Sequence, residues 1–185
     1  MDGERPDDED NALMAAWVAG DSHAFDLLYG RCKGPLYRYL MHHLRHRAQA
    51  DELFQDVWQR VIAARTQWRP SGSFRGWLFQ IAHHRLNDHW RAQTHRPAAP
   101  VDAEERVERL AEDWTPERNQ SEFEQRRALQ RAIEHLPEEQ RHVVLLRLDQ
   151  ELTLEEIARI TGVGRETVKS RLRYAMDRLR AEVLA

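Results

Sequence analysis

Thr153–Arg180 reads TLEEIARITGVGRETVKSRLRYAMDRLR, and the fold of the C-terminal part of the chain turns on it. Thr153 and Glu156 have the Ser/Thr-x-x-Glu spacing of a capping box, in which two side chains satisfy free amides at a helix start. Ala158 offers a small side chain where a second helix must approach closely. Gly162, four residues later, can take the left-handed backbone that a tight inter-helix turn requires. Val163, Val168 and Leu172 then supply apolar contacts between the two helices. This succession predicts a helix-turn-helix. Its basic second helix, Arg165–Tyr174, is the one expected to enter a major groove. Lys169 and Arg173 lie four residues apart and Arg165 extends their face, with Thr167 and Ser170 placed to touch bases or backbone. Arg and Lys donate to guanine O6 and N7 and also neutralise phosphates.

A second segment, Ser73–Arg91 (SFRGWLFQIAHHRLNDHWR), mixes aromatics with Arg and His on one helical stretch. Including Trp68 and Arg69 just before it, aromatics at 68, 74, 77, 79 and 90 alternate with Arg75, Arg85 and Arg91. Aromatic stacking with cationic backbone contact is how proteins hold single strands. Spacing alone leaves two readings open. Trp77, Ile81 and Trp90 belong to a core, or they form a platform for unpaired bases. Both hold together if one face is buried and Phe79, Gln80, His83, His84 and Arg91 point outward.

The 185 residues suffice for one large or two small domains. Apolar residues make up 41% and charged residues 32%, which fits a helix-rich protein with modest cores. No run of about 18 apolar residues occurs, so no membrane insertion is expected. The acidic N-terminus is unlike a signal peptide, which predicts a cytoplasmic protein. A single cysteine, Cys32, excludes an internal disulfide and a Cys-rich zinc site. The net charge of -3 hides segregation. Residues 1–10 carry six acids against Arg5, and residues 101–124 carry nine acids against three Arg. Residues 164–185 carry six bases against three acids. Such a distribution suits local phosphate contact, with acidic parts holding the remainder off DNA.

Strand signals are absent and nearly every segment has helical periodicity, so an all-α fold of two small domains is predicted. Leu13, Ala16 and Trp17 precede a Gly20-Asp21-Ser22 break, and Phe25, Leu28 and Tyr29 resume the pattern through Leu44. Leu53, Phe54, Val57, Trp58 and Val61 mark another amphipathic helix. Residues 66–73 read as a loop with Ser73 as N-cap, and the helix after it ends before Pro97. Residues 97–120, acidic and marked by prolines, read as a flexible linker. A helix near Glu122–His135 opens the second domain, and Pro137 fits the first position of the next helix. His42 and His46 have the spacing of two ligands on one helix face, but no acid completes a set, so no metal or cofactor is expected. Asp51 and Glu52 read as first-turn charges. No phosphate loop, nucleophile elbow or HExxH pattern appears, so no enzyme is expected.

Four stretches taken together, Ala19–Tyr29 (AGDSHAFDLLY), Ala50–Val61 (ADELFQDVWQRV), Ser73–Arg91 and Leu136–Arg180, resemble the extracytoplasmic-function (ECF) sigma factors of bacterial RNA polymerase. The resemblance covers residues 13–182 apart from the linker. It implies a region 2 helical bundle over 10–96, the linker over 97–120, and a region 4 helix-turn-helix over 121–185. It implies that Asp51, Glu52, Leu53, Gln55, Asp56 and Val57 dock on the β′ coiled coil of core polymerase, with the β flap as a further contact. Acids beside Leu53 and Val57 on one helix suit a basic, apolar partner helix. The resemblance further implies that the loop Trp68–Ser73 and the helix Phe74–Arg91 read the −10 element and trap an unstacked base, through Trp68, Ser73, Phe74, Arg75, Trp77, Gln80, His83, His84 and Arg91. Arg165, Glu166, Thr167, Lys169, Ser170, Arg171, Arg173 and Tyr174 would read the −35 element.

His84 stands where the family's IARN-like pattern has Asn, which implies an altered −10 preference. Tyr174 stands where Arg is common, which removes one expected phosphate contact. No fused C-terminal sensor is expected. A separate anti-sigma factor, able to hold the protein at the inner membrane, is common in the family. The function implied is a dissociable subunit that directs promoter-specific initiation. The alternatives are a stand-alone helix-turn-helix regulator with a dimerising or sensing N-terminal domain, and a metal sensor built on His42 and His46.

Overall fold

The Gly20-Asp21-Ser22 break separates the first two helices by a mechanism its composition contains. Gly20 has a φ of +109°, and the Asp21 carboxylate accepts from the amides of His23 (2.9 Å) and Ala24 (3.3 Å) as an N-cap. The computed structural model describes residues 6–44, 46–70, 72–94 and 120–183. The chain divides near residue 101 into two units, each with its own packing. All regular elements among the described residues are helical. The acidic tract expected as a linker lies outside the described residues, except for Gln120.

The N-terminal unit comprises α1 (Pro6–Val18), α2 (Ser22–His43), α3 (Arg47–Ala64), a 3-10 turn (Arg65–Gln67) and α4 (Phe74–Thr94). α1 packs on α2 and α4, α2 on α3 and α4, and α3 on α4. The core is drawn from all four: Met14, Leu28, Leu36, Tyr39, Leu40, Val57, Val61, Phe74, Leu78, Phe79 and Leu86 are all sealed from solvent. Each such Leu or Phe stabilises the fold by ~2 kcal/mol through removal of apolar surface from water. Two expectations change here. α3 begins at Arg47, so Asp51 and Glu52 lie in its second turn rather than its first. α2 ends at His43 and the chain is extended at Leu44 and His46, so His42 and His46 share no helix face. His43 instead packs edge-on against Tyr39 and Trp90.

The acids at the N-terminus also have a role that their sequence did not suggest. Glu9 pairs with Arg31 at 2.5 Å, and Asp10 pairs with Arg31 at 2.6 Å and with Arg75 at 2.8 Å. These two carboxylates are bound within the unit rather than left to repel DNA.

The C-terminal unit comprises α5 (Gln120–His135), α6 (Glu138–Val144) running into a π-helical turn (Leu145–Asp149), α7 (Leu154–Thr161) and α8 (Arg165–Val183). α5 and α6 both pack on α8. Ala132, Leu136, Val144, Ala175 and Leu179 form the shared cluster, with Ile133, Leu172 and Met176 against it. Leu172 therefore packs on this cluster. Pro137 is the N-cap of α6, one position before the expected place. Arg141 closes the end of α5 by donating to the carbonyls of Ile133 (3.1 Å), Leu136 (2.9 Å) and Glu134, in the last turn where helix carbonyls run out of intrahelical donors.

The helix-turn-helix has the local chemistry read from the sequence. Thr153 and Glu156 form the reciprocal capping box, with Thr153 N–H to Glu156 Oε2 at 2.9 Å and Glu156 N–H to Thr153 Oγ1 at 3.2 Å. Gly162 has φ 69° and ψ 23°, and its amide donates to Ala158. A Cβ there would meet no atom within 4 Å, so the constraint is the backbone conformation and not space. Gly162→Ala is expected to lower stability by ~1–2 kcal/mol, and Gly162→Asn by less, since Asn tolerates the left-handed region. Urea unfolding of the two variants measures the difference.

His142 is buried in this unit, and burial pushes its pKa down, against an opposing pull from Glu138 at 3.8 Å. The folded state thus holds the neutral imidazole, while the unfolded chain takes up a proton near its ordinary value of about 6.5. This contribution to stability is fully present above that value and is lost as pH falls below it towards the lower value of the folded state. Thermal unfolding between pH 7.5 and pH 5 should show the stability difference between wild type and His142→Gln narrowing as the solution becomes more acidic. A difference independent of pH would contradict this.

Candidate nucleic-acid interface

The start of α4 is built by two capping side chains, one local and one distant. Ser73 Oγ accepts from the Gly76 amide at 3.0 Å, the N-cap role expected of it. Asn11 Oδ1, on α1, accepts from the Phe74 amide at 2.7 Å. Along α4 the aromatic and basic residues then separate by face. Phe74 and Phe79 are in the core, with Phe79 edge-on to Tyr39 at 5.2 Å. His83 is buried as well, so Phe79 and His83 do not point outward as expected. The helical period explains why: 74, 78, 79, 82, 83 and 86 share the stripe that meets α2 and α3. Trp68, in the preceding loop, is also buried. Trp77 and Gln80 are half-buried, while His84 and Arg91 are exposed. Arg75, expected to face a strand, is only 18% exposed and is held by Asp10.

A cleft of 580 Å³ opens between α3 and α4, lined by Arg60, Ala64, Ile81, His84, Arg85, Asn87, Asp88 and Arg91. Its cations are unevenly restrained. Arg85 is ion-paired with Asp56 and, at 2.8 Å, with Asp88. Arg60 lies 3.6 Å from Asp56 and Arg91 lies 4.0 Å from Asp88, both largely in solvent. Loose pairs of this kind are worth little in water, so these two guanidinium groups can be redirected to a phosphate at small cost.

On α3, exposed Asp51, Glu52 and Gln55 share the outer surface. Leu53 and Val57 are buried in the core, which removes them from the docking face on which they were expected. Phe54 is the half-buried apolar group on this face, edge-on to Tyr37 at 5.7 Å and Tyr29 at 6.4 Å. The Tyr37 hydroxyl donates to Asp51 at 2.7 Å, and burial followed by this bond raises its pKa. His89 on α4 has its pKa lowered by burial, with Glu52 acting in the opposite direction.

On α8, Arg165, Glu166, Thr167, Lys169, Arg173 and Tyr174 are exposed. Arg165 reaches back to Glu155 of α7 at 2.6 Å and lies 3.7 Å from Glu166. The Arg173 guanidinium sits 5.0 Å from the centre of the Tyr174 ring. Ser170 is half-buried and its hydroxyl donates to the Glu166 carbonyl. Arg171 points the other way: it is 21% exposed and pairs with Glu139 of α6 at 2.6 Å.

Residues 28–96 match the family described as Sigma-70 region 2, and residues 132–181 match Sigma-70, region 4. Across 96% of its length the chain is 33% identical to the ECF RNA polymerase sigma factor SigM of Mycobacterium tuberculosis, covering 86% of that protein. It is 31% identical to the ECF RNA polymerase sigma factor SigD of Mycobacterium bovis, over 100% of this chain and 87% of the relative. The chain belongs to the ECF RNA polymerase sigma factors. Two solved structures have a similar fold. CnrH in complex with the cytosolic domain of CnrY matches with a TM-score of 0.66 and 22% identity, over 94% of this chain and 96% of that one. The sigma factor RpoE in complex with the anti-sigma factor NepR, from Bartonella quintana, matches with a TM-score of 0.67 and 19% identity, over 86% and 96%.

The cleft of this sigma factor includes residues that its sequence did not single out. Arg60 and Ala64 come from α3, and Asn87 from the far half of α4, beside Arg85. Their only signal in the sequence is a shared helical face, and the facing of α3 to α4 decides its meaning. Among the described residues, no group of three or more His, Cys, Asp or Glu side chains is placed to hold a metal, and no helix is long and apolar enough to cross a membrane. The Arg171–Glu139 pair is expected to be a modest structural tie. A double-mutant cycle on Arg171→Ala and Glu139→Ala, read by urea unfolding, should give a coupling of ~0.5 kcal/mol, since Glu139 is largely in solvent.

Proposed function

We propose that this sigma factor docks on core RNA polymerase through the outer face of α3, captures the opened −10 region at the α3–α4 cleft, and reads the −35 element with α8. The region 2 role is assigned to residues 10–96 and the region 4 role to 121–185. The docking set is Asp51, Glu52, Gln55 and Asp56 on the β′ coiled coil, with Phe54 supplying the apolar contact that buried Leu53 and Val57 do not offer. Leu148, an exposed apolar side chain of the C-terminal unit, suits a contact with the β flap.

At the −10 element, Ser73 starts the reading helix, Trp77 offers a partly open ring for stacking, and Gln80, His84 and Arg91 present polar and cationic groups to a strand. Trp68, Phe74 and His83 act as the wall behind them. At the −35 element, Arg165, Thr167, Lys169 and Arg173 face the duplex, with Glu166 and Tyr174 at its margin and Ser170 tied to its own helix. Arg171 is assigned to the fold. An anti-sigma factor is a further expected partner, since a similar fold was solved bound to one.

The observation that carries this reading is the exposed acidic face of α3 adjoining a cleft lined by Arg60, Arg85 and Arg91. One helix thus presents carboxylates to a protein and a guanidinium to a nucleic acid. Run-off transcription with purified core polymerase is the direct test, and promoter-dependent transcripts are expected only when this chain is added. Glu52→Lys combined with Asp51→Lys should weaken core binding at least ~10-fold, with little change in unfolding temperature because both side chains are exposed. Lys169→Ala should reduce the salt dependence of promoter binding by about one phosphate contact. Arg171→Ala should leave that slope unchanged.

A further inference from the structure

We infer that Asp10 and Asn11 of α1 are positioning residues for strand capture, fixing the start of α4 through Arg75 and the Phe74 amide. The inference rests on the reading of α4 as the −10 reader and adds to it a function for the acidic N-terminal helix.

Asp10 exposes no surface, and its carboxylate lies between Arg31 of α2 and Arg75 of α4. Asn11, the next residue, accepts from the amide of Phe74, the first residue of α4. That amide is one of the four that a helix N-terminus leaves without an internal partner. Ser73 caps another of them locally, at Gly76. Two successive residues of α1 therefore hold two successive residues of α4, one through its side chain and one through its backbone. Phe74 and Arg75 directly follow the loop that leads from Trp68, and they precede Trp77 by less than one turn and Gln80 by less than two. Any shift of this first turn moves the open rim of the reading helix. Arg75 is thereby a tether and not a strand contact.

The burial of Asp10 gives the clamp its rigidity. A buried carboxylate is tolerated only when its partners are in place, and loss of one partner is costly. Asn11 makes the milder contact, so its removal should shift the turn without unfolding the unit.

The test uses the full chain assembled with core polymerase and a fluorescent single-stranded oligonucleotide carrying the −10 non-template sequence of a promoter that the wild-type holoenzyme transcribes. Asn11→Ala should lower oligonucleotide affinity about fivefold, the equilibrium worth of one helix cap. Asn11→Asp keeps the acceptor and should restore wild-type affinity. Asp10→Asn should lose more than Asn11→Ala. Affinity for core polymerase should be unchanged in all three, because the outer face of α3 is untouched. Unaltered oligonucleotide affinity in Asn11→Ala overturns the inference. So does a parallel loss of core affinity, or a defect that Asn11→Asp fails to rescue, since each marks a role in general stability alone. If Asp10→Asn does not fold, the Asn11 pair decides. A wild-type chain that forms no holoenzyme and yields no transcript overturns the sigma reading itself, which separates that failure from failure of the clamp.

Discussion

A carboxylate with no exposed surface must find its counter-charges inside the protein, and at Asp10 these come from two other helices. Arg31 and Arg75 bring α2 and α4 against α1 around a single anionic group. Such a cluster adds little net stability compared with apolar side chains of the same volume, because the Asp10 charge leaves water entirely and the two guanidinium groups in part. It does, however, penalise every arrangement of the helices in which one partner is missing. The position of the first turn of α4, and of everything that turn presents to solvent, depends on that constraint.

The same helices serve core and surface because their periodicity separates the two. On α3, Leu53, Val57 and Val61 fall inward while Asp51, Glu52 and Gln55 fall outward. On α4, Phe74, Leu78, Phe79, Ala82 and Leu86 are packed while His84 and Arg91 remain in solvent. Asp56 sits between these roles. It lies on the helix assigned to polymerase docking, yet it pairs with Arg85 in the cleft assigned to DNA. A charge change at Asp56 thus disturbs the cleft along with the docking face, which exposed Glu52 does not.

In the C-terminal unit, charge on α8 divides in a similar way. Lys169, Arg171 and Arg173 look alike as a basic run, but Arg171 is turned towards α6 and bound to Glu139. Arg165 is joined to Glu155 across the turn. The exposed carboxylate of Glu155 has its pKa lowered by a backbone hydrogen bond and then by that arginine. Only part of the positive charge counted along the helix is therefore available to phosphates.

The features legible in the sequence are those whose partners lie within a turn or two along the chain. The Thr153–Glu156 capping box, the left-handed Gly162, the break at Gly20-Asp21-Ser22, the Ser73 cap and the all-helical periodicity were each readable. Local hydrogen bonds and backbone sterics determine them, and these do not wait for distant packing. The family resemblance was legible too, because it rests on such motifs in order. The separation of Phe79 and His83 from His84 and Arg91 was not, since a stripe of mixed aromatics and bases has no inside until α2 and α3 cover one side. Nor was the fate of Arg75, whose partner is 65 residues away, or the pairing of Asp56 with Arg85 across 29 residues. The sequence by itself determined the helices, their local caps and the turn of the DNA-reading motif. The tertiary structure alone decided which charges are held inside and which are left for a partner, because charges distant in the chain become neighbours only when the helices pack.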